Sequence, residues 1–150
     1  MAAPRILFVC LGNICRSPTA DGVARAMASA RGLDVVIDSA GTGAWHVGDP
    51  PNPAMQRAAS AAGYNLSGLR ARVFTAADFA AFDVIYAMDR QNRADIEALR
   101  PAGSATPVHL FREHDPEGPG DVPDPYYEGG HEGVVRLIER TVARILDAVP

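Results

Sequence analysis

The chain of 150 residues predicts an α/β fold in which a parallel sheet is covered by helices on both faces. Three observations carry that prediction. Short, continuous apolar runs alternate with segments of helical composition, which is how strands buried on both faces read. The length is typical of a single domain, here residues 1–150, and is enough to bury a core without staples. Finally, the segment richest in unusual chemistry follows the first apolar run, at the carboxyl end of a strand, where open α/β sheets bind ligands.

The elements follow in order. Residues 5–9 are the first strand and residues 17–30, rich in alanine, the first helix. Residues 35–37 form a short second strand that opens into a glycine-bearing loop over 39–48. Residues 53–62 have helical composition and end near Gly63, a plausible cap. Residues 75–82 predict a short helix, and residues 83–88 a third strand with apolar Val84, Ile85, Tyr86 and Ala87. Residues 89–99 are helical and stop before Pro101. Residues 107–111 are the fourth strand, with His109 expected as a packed side chain. A loop rich in proline, glycine and acid covers 112–130. Residues 132–149 form the last helix, with Val135, Ile138, Val142, Ile145 and Leu146 on one face. There are no repeats and no low-complexity tract.

Composition narrows the function. Apolar residues make up 47% of the chain, which argues against disorder. A net charge of −4 gives no reason to expect a nucleic acid or a membrane surface as partner. No apolar run approaches the length of a membrane span. Residues 1–5 lead straight into the first strand, so no signal peptide is expected. The two cysteines share one loop, so no disulfide framework is expected, and a reducing, cytoplasmic setting suits them.

That loop reads Cys10-Leu11-Gly12-Asn13-Ile14-Cys15-Arg16-Ser17-Pro18. A turn between Cys10 and Arg16 aims successive backbone N–H groups inward as an anion-binding nest, and the helix behind it adds the positive end of its dipole. Arg16 supplies a planar fork for two oxygens of a tetrahedral oxyanion. Thiols at helix N-termini beside arginine are activated as nucleophiles, which puts Cys10 at the floor of a phosphate cradle. Gly12 and Asn13 suit the unusual dihedrals of a tight loop. Ser17 is expected as the helix N-cap, with Pro18 at the first helical position. From there its hydroxyl would reach Cys10.

Transfer of phosphate from a phenol to sulfur needs an acid for the leaving oxygen. The loop over 112–130 offers Asp115, Asp121 and Asp124. Residue chemistry only mildly prefers Asp124, whose backbone Pro125 stiffens and which Tyr126 and Tyr127 would shield. Asp115 and Asp121 read as solvated loop acids. The aromatic pair favours a flat, long phosphoester such as phosphotyrosine. Trp45 reads equally as a packing anchor or a binding wall. Cys15 reads either as a small inward residue or as a partner that captures oxidised Cys10 in a disulfide. The four histidines have no metal-ligand spacing.

The Cys10–Pro18 segment, together with Asp124-Pro125-Tyr126-Tyr127 more than 100 residues later, resembles the low-molecular-weight protein tyrosine phosphatases. The likeness spans nearly the whole chain and includes Asp38-Ser39-Ala40-Gly41-Thr42, Trp45 and Met88-Asp89. It implies a flavodoxin-like or Rossmann-like sandwich with strand order 2-1-3-4. It implies hydrolysis of phosphotyrosine in proteins through a phosphocysteine, with Cys10, Arg16 and Asp124 catalytic. Leu11, Gly12, Asn13, Ile14, Cys15 and Ser17 would complete the phosphate-binding loop, and Leu11, Trp45, Tyr126 and Tyr127 the substrate cleft. Cys15 becomes a candidate redox partner, and Ser39 joins Asn13 in bracing the loop.

The same resemblance implies no metal or organic cofactor, a tyrosine-phosphorylated protein as partner (a tyrosine kinase among the candidates), and a monomer or weak self-association. Rival readings are a protein arginine phosphatase of the same fold, a thiol-coupled arsenate reductase and an inactive phosphate-binding module. Ile14 and the second tyrosine of Asp-Pro-Tyr-Tyr favour phosphotyrosine, the lack of further cysteines disfavours the reductase, and intact Arg16 and Asp124 disfavour the passive binder. One departure stands out. Leu69 occupies the place of a histidine that supports the loop asparagine in many relatives, which puts the bracing of Asn13 in question.

Overall fold

The computed structural model describes residues 2–150. Four parallel strands, β1 (Arg5–Cys10), β2 (Val36–Gly41), β3 (Val84–Ala87) and β4 (Val108–Leu110), lie side by side in the order β2-β1-β3-β4. The helices are α1 (Arg16–Arg31), α2 (Pro53–Ala61), α3 (Asp78–Ala81), α4 (Arg90–Glu97), α5 (Pro125–Glu128) and α6 (His131–Asp147), with a 3₁₀ turn at Phe111–His114. The expected class and strand order are those observed.

Strand alternation sorts β1 between two cores. Ile6 and Phe8 face α1 and α6, packing with Val23, Ala24, Ile138 and Val142, while Leu7 and Val9 face the other way, onto Phe74, Phe79 and Ile96. Phe8, Leu7 and Val9 are all fully buried, and truncating such a phenylalanine to alanine typically costs about 3–5 kcal/mol. A third cluster joins Ile14 and Cys15 to α2 through Met55 and Ala59, and to Leu66 and Ala71. The phosphate loop therefore stands on apolar side chains as well as on hydrogen bonds.

One strand boundary and the setting of one side chain depart from the sequence reading. β2 runs on to Gly41 where a loop was expected from Ser39. Polar Asp38 and Ser39 are tolerated in the strand because each has a side-chain partner, Arg72 for Asp38 and Asp21 for Ser39. Gly41 is required there by close approach, since a Cβ would lie 2.7 Å from the Leu11 carbonyl oxygen. His109 is exposed rather than packed, and pairs with Glu113 at 3.1 Å. It lies on β4, which pairs only with β3 and forms the sheet edge.

Candidate active site

β1 delivers Cys10 to the carboxyl edge of the sheet, and the chain then turns through Leu11–Cys15 into α1. Cys10 is 3% exposed. Its Sγ accepts from the Asn13 backbone N–H at 3.3 Å and lies 3.0 Å from Ser17 Oγ. Asn13 sits at φ +56°, alone among non-glycine residues described in the left-handed region, and its side chain pays for that conformation. The amide Nδ2 donates to Ser17 Oγ at 2.7 Å and Ser39 Oγ at 3.1 Å, and Oδ1 accepts from the Arg72 backbone N–H at 3.0 Å. The question raised by Leu69 is thereby answered. A backbone amide three residues further on holds the asparagine, and Leu69 instead packs against the apolar cluster under the loop.

Ser17 is not the N-cap. α1 starts at Arg16 with Cys15 in the cap position and no side-chain cap hydrogen bond. The first-turn amides are left uncapped by side chains, as an anion site at a helix N-terminus requires. The Ser17 hydroxyl is free to face Cys10 Sγ, with the Ala40 carbonyl as a second acceptor at 3.3 Å.

Arg16 is 2% exposed. Its Nη1 donates to Asp89 Oδ2 at 2.7 Å and to the Val122 carbonyl at 3.0 Å, and its Nη2 to Asp124 Oδ2 at 3.4 Å. Burial works against the guanidinium charge, but Cys10, Asp89 and Asp124 outweigh it and hold the group charged. Asp89 also caps α4 by accepting from the Asn92 N–H at 2.7 Å. Cys15 is a buried neighbour of different character. Burial first, then Cys10 and Asp124, push its thiol up to about 12 against the opposing pull of Arg16, so it stays protonated. Both cysteines are free.

Asp124 caps the one-turn helix α5, accepting from the Tyr126 N–H at 3.1 Å through Oδ1. Pro125 occupies the first helical position, where no N–H is missed. Asp115 is not a solvated loop acid. Its side chain is fully buried and ion-paired to Arg112 at 2.8 Å and Arg140 at 2.8 Å. Burial raises its pKa, but Arg140, the Glu117 N–H and Arg112 together bring it down to about 2. Asp121 pairs with Arg90 at 3.3 Å. Neither faces the cleft.

The cleft, about 340 Å³, is lined by Cys10, Arg16 and Asp124 at its floor and wall and by Leu11, Ile14, Cys15, Trp45, His46, Tyr126 and Tyr127. Trp45 is 74% and Tyr127 73% exposed. They flank the mouth rather than shield Asp124, whose side chain is 22% exposed. Among the described residues, no three histidines, cysteines or carboxylates are grouped to hold a metal ion.

Residues 5–150 match the family described as low molecular weight phosphotyrosine protein phosphatase. A putative low molecular weight protein-tyrosine-phosphatase of Synechocystis is 43% identical over 97% of this chain and 96% of its own. The crystal structure of YfkJ from Bacillus subtilis superposes with a TM-score of 0.92 at 35% identity, covering 99% of this chain and 95% of that one. A protein tyrosine phosphatase from Entamoeba histolytica gives a TM-score of 0.89 at 31% identity over 97% of this chain and 96% of its own. The chain belongs to the low molecular weight phosphotyrosine protein phosphatase family.

For this family member, the residues expected in the site line one cleft, except Asn13 and Ser17, which are buried against Cys10. Sequence reasoning missed what holds them. Asp89 enters the sequence reading only as part of Met88-Asp89, and its grip on Arg16 depends on β3 lying beside β1. The Val122 carbonyl carries no sequence signal at all. His46, next to Trp45 in sequence, also lines the cleft. Its ring lies against Gly12, where a Cβ would approach His46 Cδ2 to 3.1 Å, and its Nδ1 is 3.2 Å from Asp49.

Proposed function

We propose that this protein hydrolyses phosphotyrosine in phosphoprotein substrates through a phosphocysteine formed on Cys10. The observation that carries this reading is Cys10 Sγ at the floor of a cleft whose wall holds both Arg16 and Asp124. In the first step Cys10 thiolate attacks phosphorus in line, forming the S–P bond as the P–O(aryl) bond breaks. Arg16 and the loop amides hold the equatorial oxygens, and the Asp124 carboxyl gives its proton to the departing tyrosyl oxygen. In the second step water attacks phosphorus while Asp124 carboxylate takes its proton. The S–P bond breaks, and Ser17 donates to the departing thiolate.

Arg16 already spends Nη1 on Asp89 and Val122, so those partners fix the plane in which the remaining N–H groups meet the ligand. Trp45, Tyr126 and Tyr127 would stack on the tyrosyl ring and its flanking residues. Ile14 and Tyr127, both in the cleft lining, favour an aryl over a guanidino phosphoester. Two free thiols fit a reducing compartment such as the cytoplasm, and no described helix is long and apolar enough to cross a membrane.

The test is phosphate release from matched phosphotyrosine and phosphoarginine peptides, with chelator and reductant present, for wild type and Cys10→Ser. The expected result is release from phosphotyrosine that depends on Cys10. Preference for phosphoarginine would overturn the substrate assignment, and no turnover of either would overturn the phosphatase reading for this chain.

A further inference from the structure

The hydrogen bonds that brace the phosphate loop do not stop at Ser39. They continue to a buried carboxylate on α1. Ser39 Oγ donates to Asp21 Oδ2 at 3.0 Å, and Asp21 Oδ1 accepts from Arg25 Nε one helical turn on. Ser17, Asn13, Ser39 and Asp21 are all buried, whereas the Arg25 side chain is 53% exposed and also donates to the Ile37 carbonyl. A carboxylate inside a protein is costly unless paired. The neighbouring inward positions of α1, Ala20, Val23 and Ala24, are apolar. Packing alone gives no reason for an acid here.

The donor count gives one. The Arg72 N–H on Asn13 Oδ1 fixes which end of the amide is the donor. Nδ2 then has two hydrogens and two acceptors, Ser17 Oγ and Ser39 Oγ. Each serine oxygen receives one of them, so each must send its own proton elsewhere. For Ser39 the acceptor is Asp21. For Ser17 the nearer acceptor is Cys10 Sγ at 3.0 Å, against 3.3 Å for the Ala40 carbonyl. The Arg72 N–H sets the direction at Asn13, and Asp21, an acceptor-only group, sets it at Ser39.

We propose that Asp21, anchored by Arg25, is a positioning residue for the Cys10 sulfur: by taking the Ser39 proton it keeps a Ser39 lone pair on Asn13 Nδ2 and so holds in place the amide whose other hydrogen aims Ser17 at Cys10. Neither residue touches substrate. The role rests on the phosphatase reading above, and its consequence falls on the second step, where the Ser17 O–H stabilises sulfur as the leaving group. In Asp21→Asn, the new amide oxygen turns to Arg25 and its NH₂ to Ser39. Ser39 then faces two donors, and its own proton has no acceptor.

Rapid-quench kinetics with a phosphotyrosine peptide measure phosphocysteine formation and breakdown separately, with wild-type turnover as the control for the phosphatase reading itself. Asp21→Asn and Ser39→Ala are each expected to slow breakdown about tenfold, with formation changed far less and the phosphoenzyme accumulating. The double variant is expected to be no slower than the slower single, since both cut one chain. Breakdown within twofold of wild type, or losses that multiply in the double variant, would overturn the proposal. So would equal slowing of both steps with weakened phosphate binding, which is the mark of a merely loosened loop.

Arg25→Met, at an exposed position, serves if the buried variants do not fold. Asp21 is faced by Arg25 from α1 and by Ser39 and Asp38 from β2, with Asp38 tied to Arg72. Burial already raises the Asp21 carboxyl and Arg25 opposes this. Without Arg25 the Asp21 carboxyl is raised further, and a protonated Asp21 would be a donor toward Ser39. Breakdown relative to wild type is then expected to be slower at the acid end of the activity range than at the alkaline end. A flat ratio would overturn the assignment.

Discussion

The phosphate loop and the acid loop face each other across the cleft, and they are held in opposite ways. Residues 10–17 are almost wholly buried and are braced by their own side chains, by the end of β2 and by apolar contacts with α2. The segment from Arg112 to Glu128 has few apolar anchors, with Val122 and Pro125 its buried ones. It is pinned instead by charge: Asp115 between Arg112 and Arg140, Arg112 on the Asp121 carbonyl, Asp121 on Arg90, and Arg16 on the Val122 carbonyl and Asp124. Cys10 is held by a network satisfied within its own half of the protein, and the segment carrying Asp124 by ion pairs reaching from α1, α4 and α6. In the proposed mechanism the difference suits the chemistry, because the cradle must be preorganised while the acid must admit a bulky aryl ester.

The comparison can be broken from either side. Cys10→Ser removes the nucleophile without disturbing its bracing, and is expected to lower kcat by roughly 10⁴-fold or more while inorganic phosphate still binds. Arg16→Lys tests the one residue shared by both loops. It keeps the charge but loses the fork, and both Asp89 and Asp124 lose a geometric partner. Turnover is expected to fall about 10²–10³-fold.

Asp115→Asn strikes the acid loop alone. Breaking a buried charge pair is expected to cost about 2–3 kcal/mol in urea unfolding at pH 7, toward the low end because Arg112 and Arg140 can reach solvent. The sign in pH follows from a carboxyl held at about 2. Its contribution is complete above the unfolded carboxylate value of about 4 and is lost as pH falls toward 2. The wild type should therefore lose roughly 2 kcal/mol more than Asp115→Asn over that window. Its kcat should drop several-fold while phosphate affinity is unchanged, since the cradle is braced separately. Trp45→Ala and Tyr127→Ala, at the exposed mouth, are expected to raise KM for phosphotyrosine peptides about fivefold and to leave kcat and a small aryl phosphate nearly unaffected.

The same contrast explains what could be read from the sequence. The phosphate loop is local: strand, turn and helix lie within Arg5–Arg31, so the sequence predicts where Cys10, Asn13 and Arg16 sit; the alternation of elements predicts the class, while the strand order comes from the family resemblance. Even there Ser17 was misassigned as a cap, because a serine before proline looks alike whether its hydroxyl serves the backbone or the sulfur. The acid loop is non-local. Asp115, Asp121 and Asp124 are chemically equivalent in sequence, and only Arg140 on α6, Arg90 on α4 and Arg16 on α1 give each its role. Asp124 was singled out by resemblance, not by physics. His109 is exposed because it lies on the edge strand β4, where it pairs with Glu113 of the following 3₁₀ turn, and nothing in its strand says which face of that edge is covered. Where Leu69 departs from the family pattern, a backbone amide, invisible in any sequence pattern, holds Asn13 instead.

The most direct test of the division of labour is the dependence of kcat/KM on leaving-group pKa for a series of aryl phosphates, in wild type and Asp124→Asn. If Asp124 protonates the departing oxygen, the wild type should respond weakly to leaving-group basicity. The variant should respond steeply, losing about 10²–10³-fold with phenol-like esters and little with nitrophenyl esters. Parallel slopes for the two proteins would contradict the account and leave the acid loop without its catalytic role.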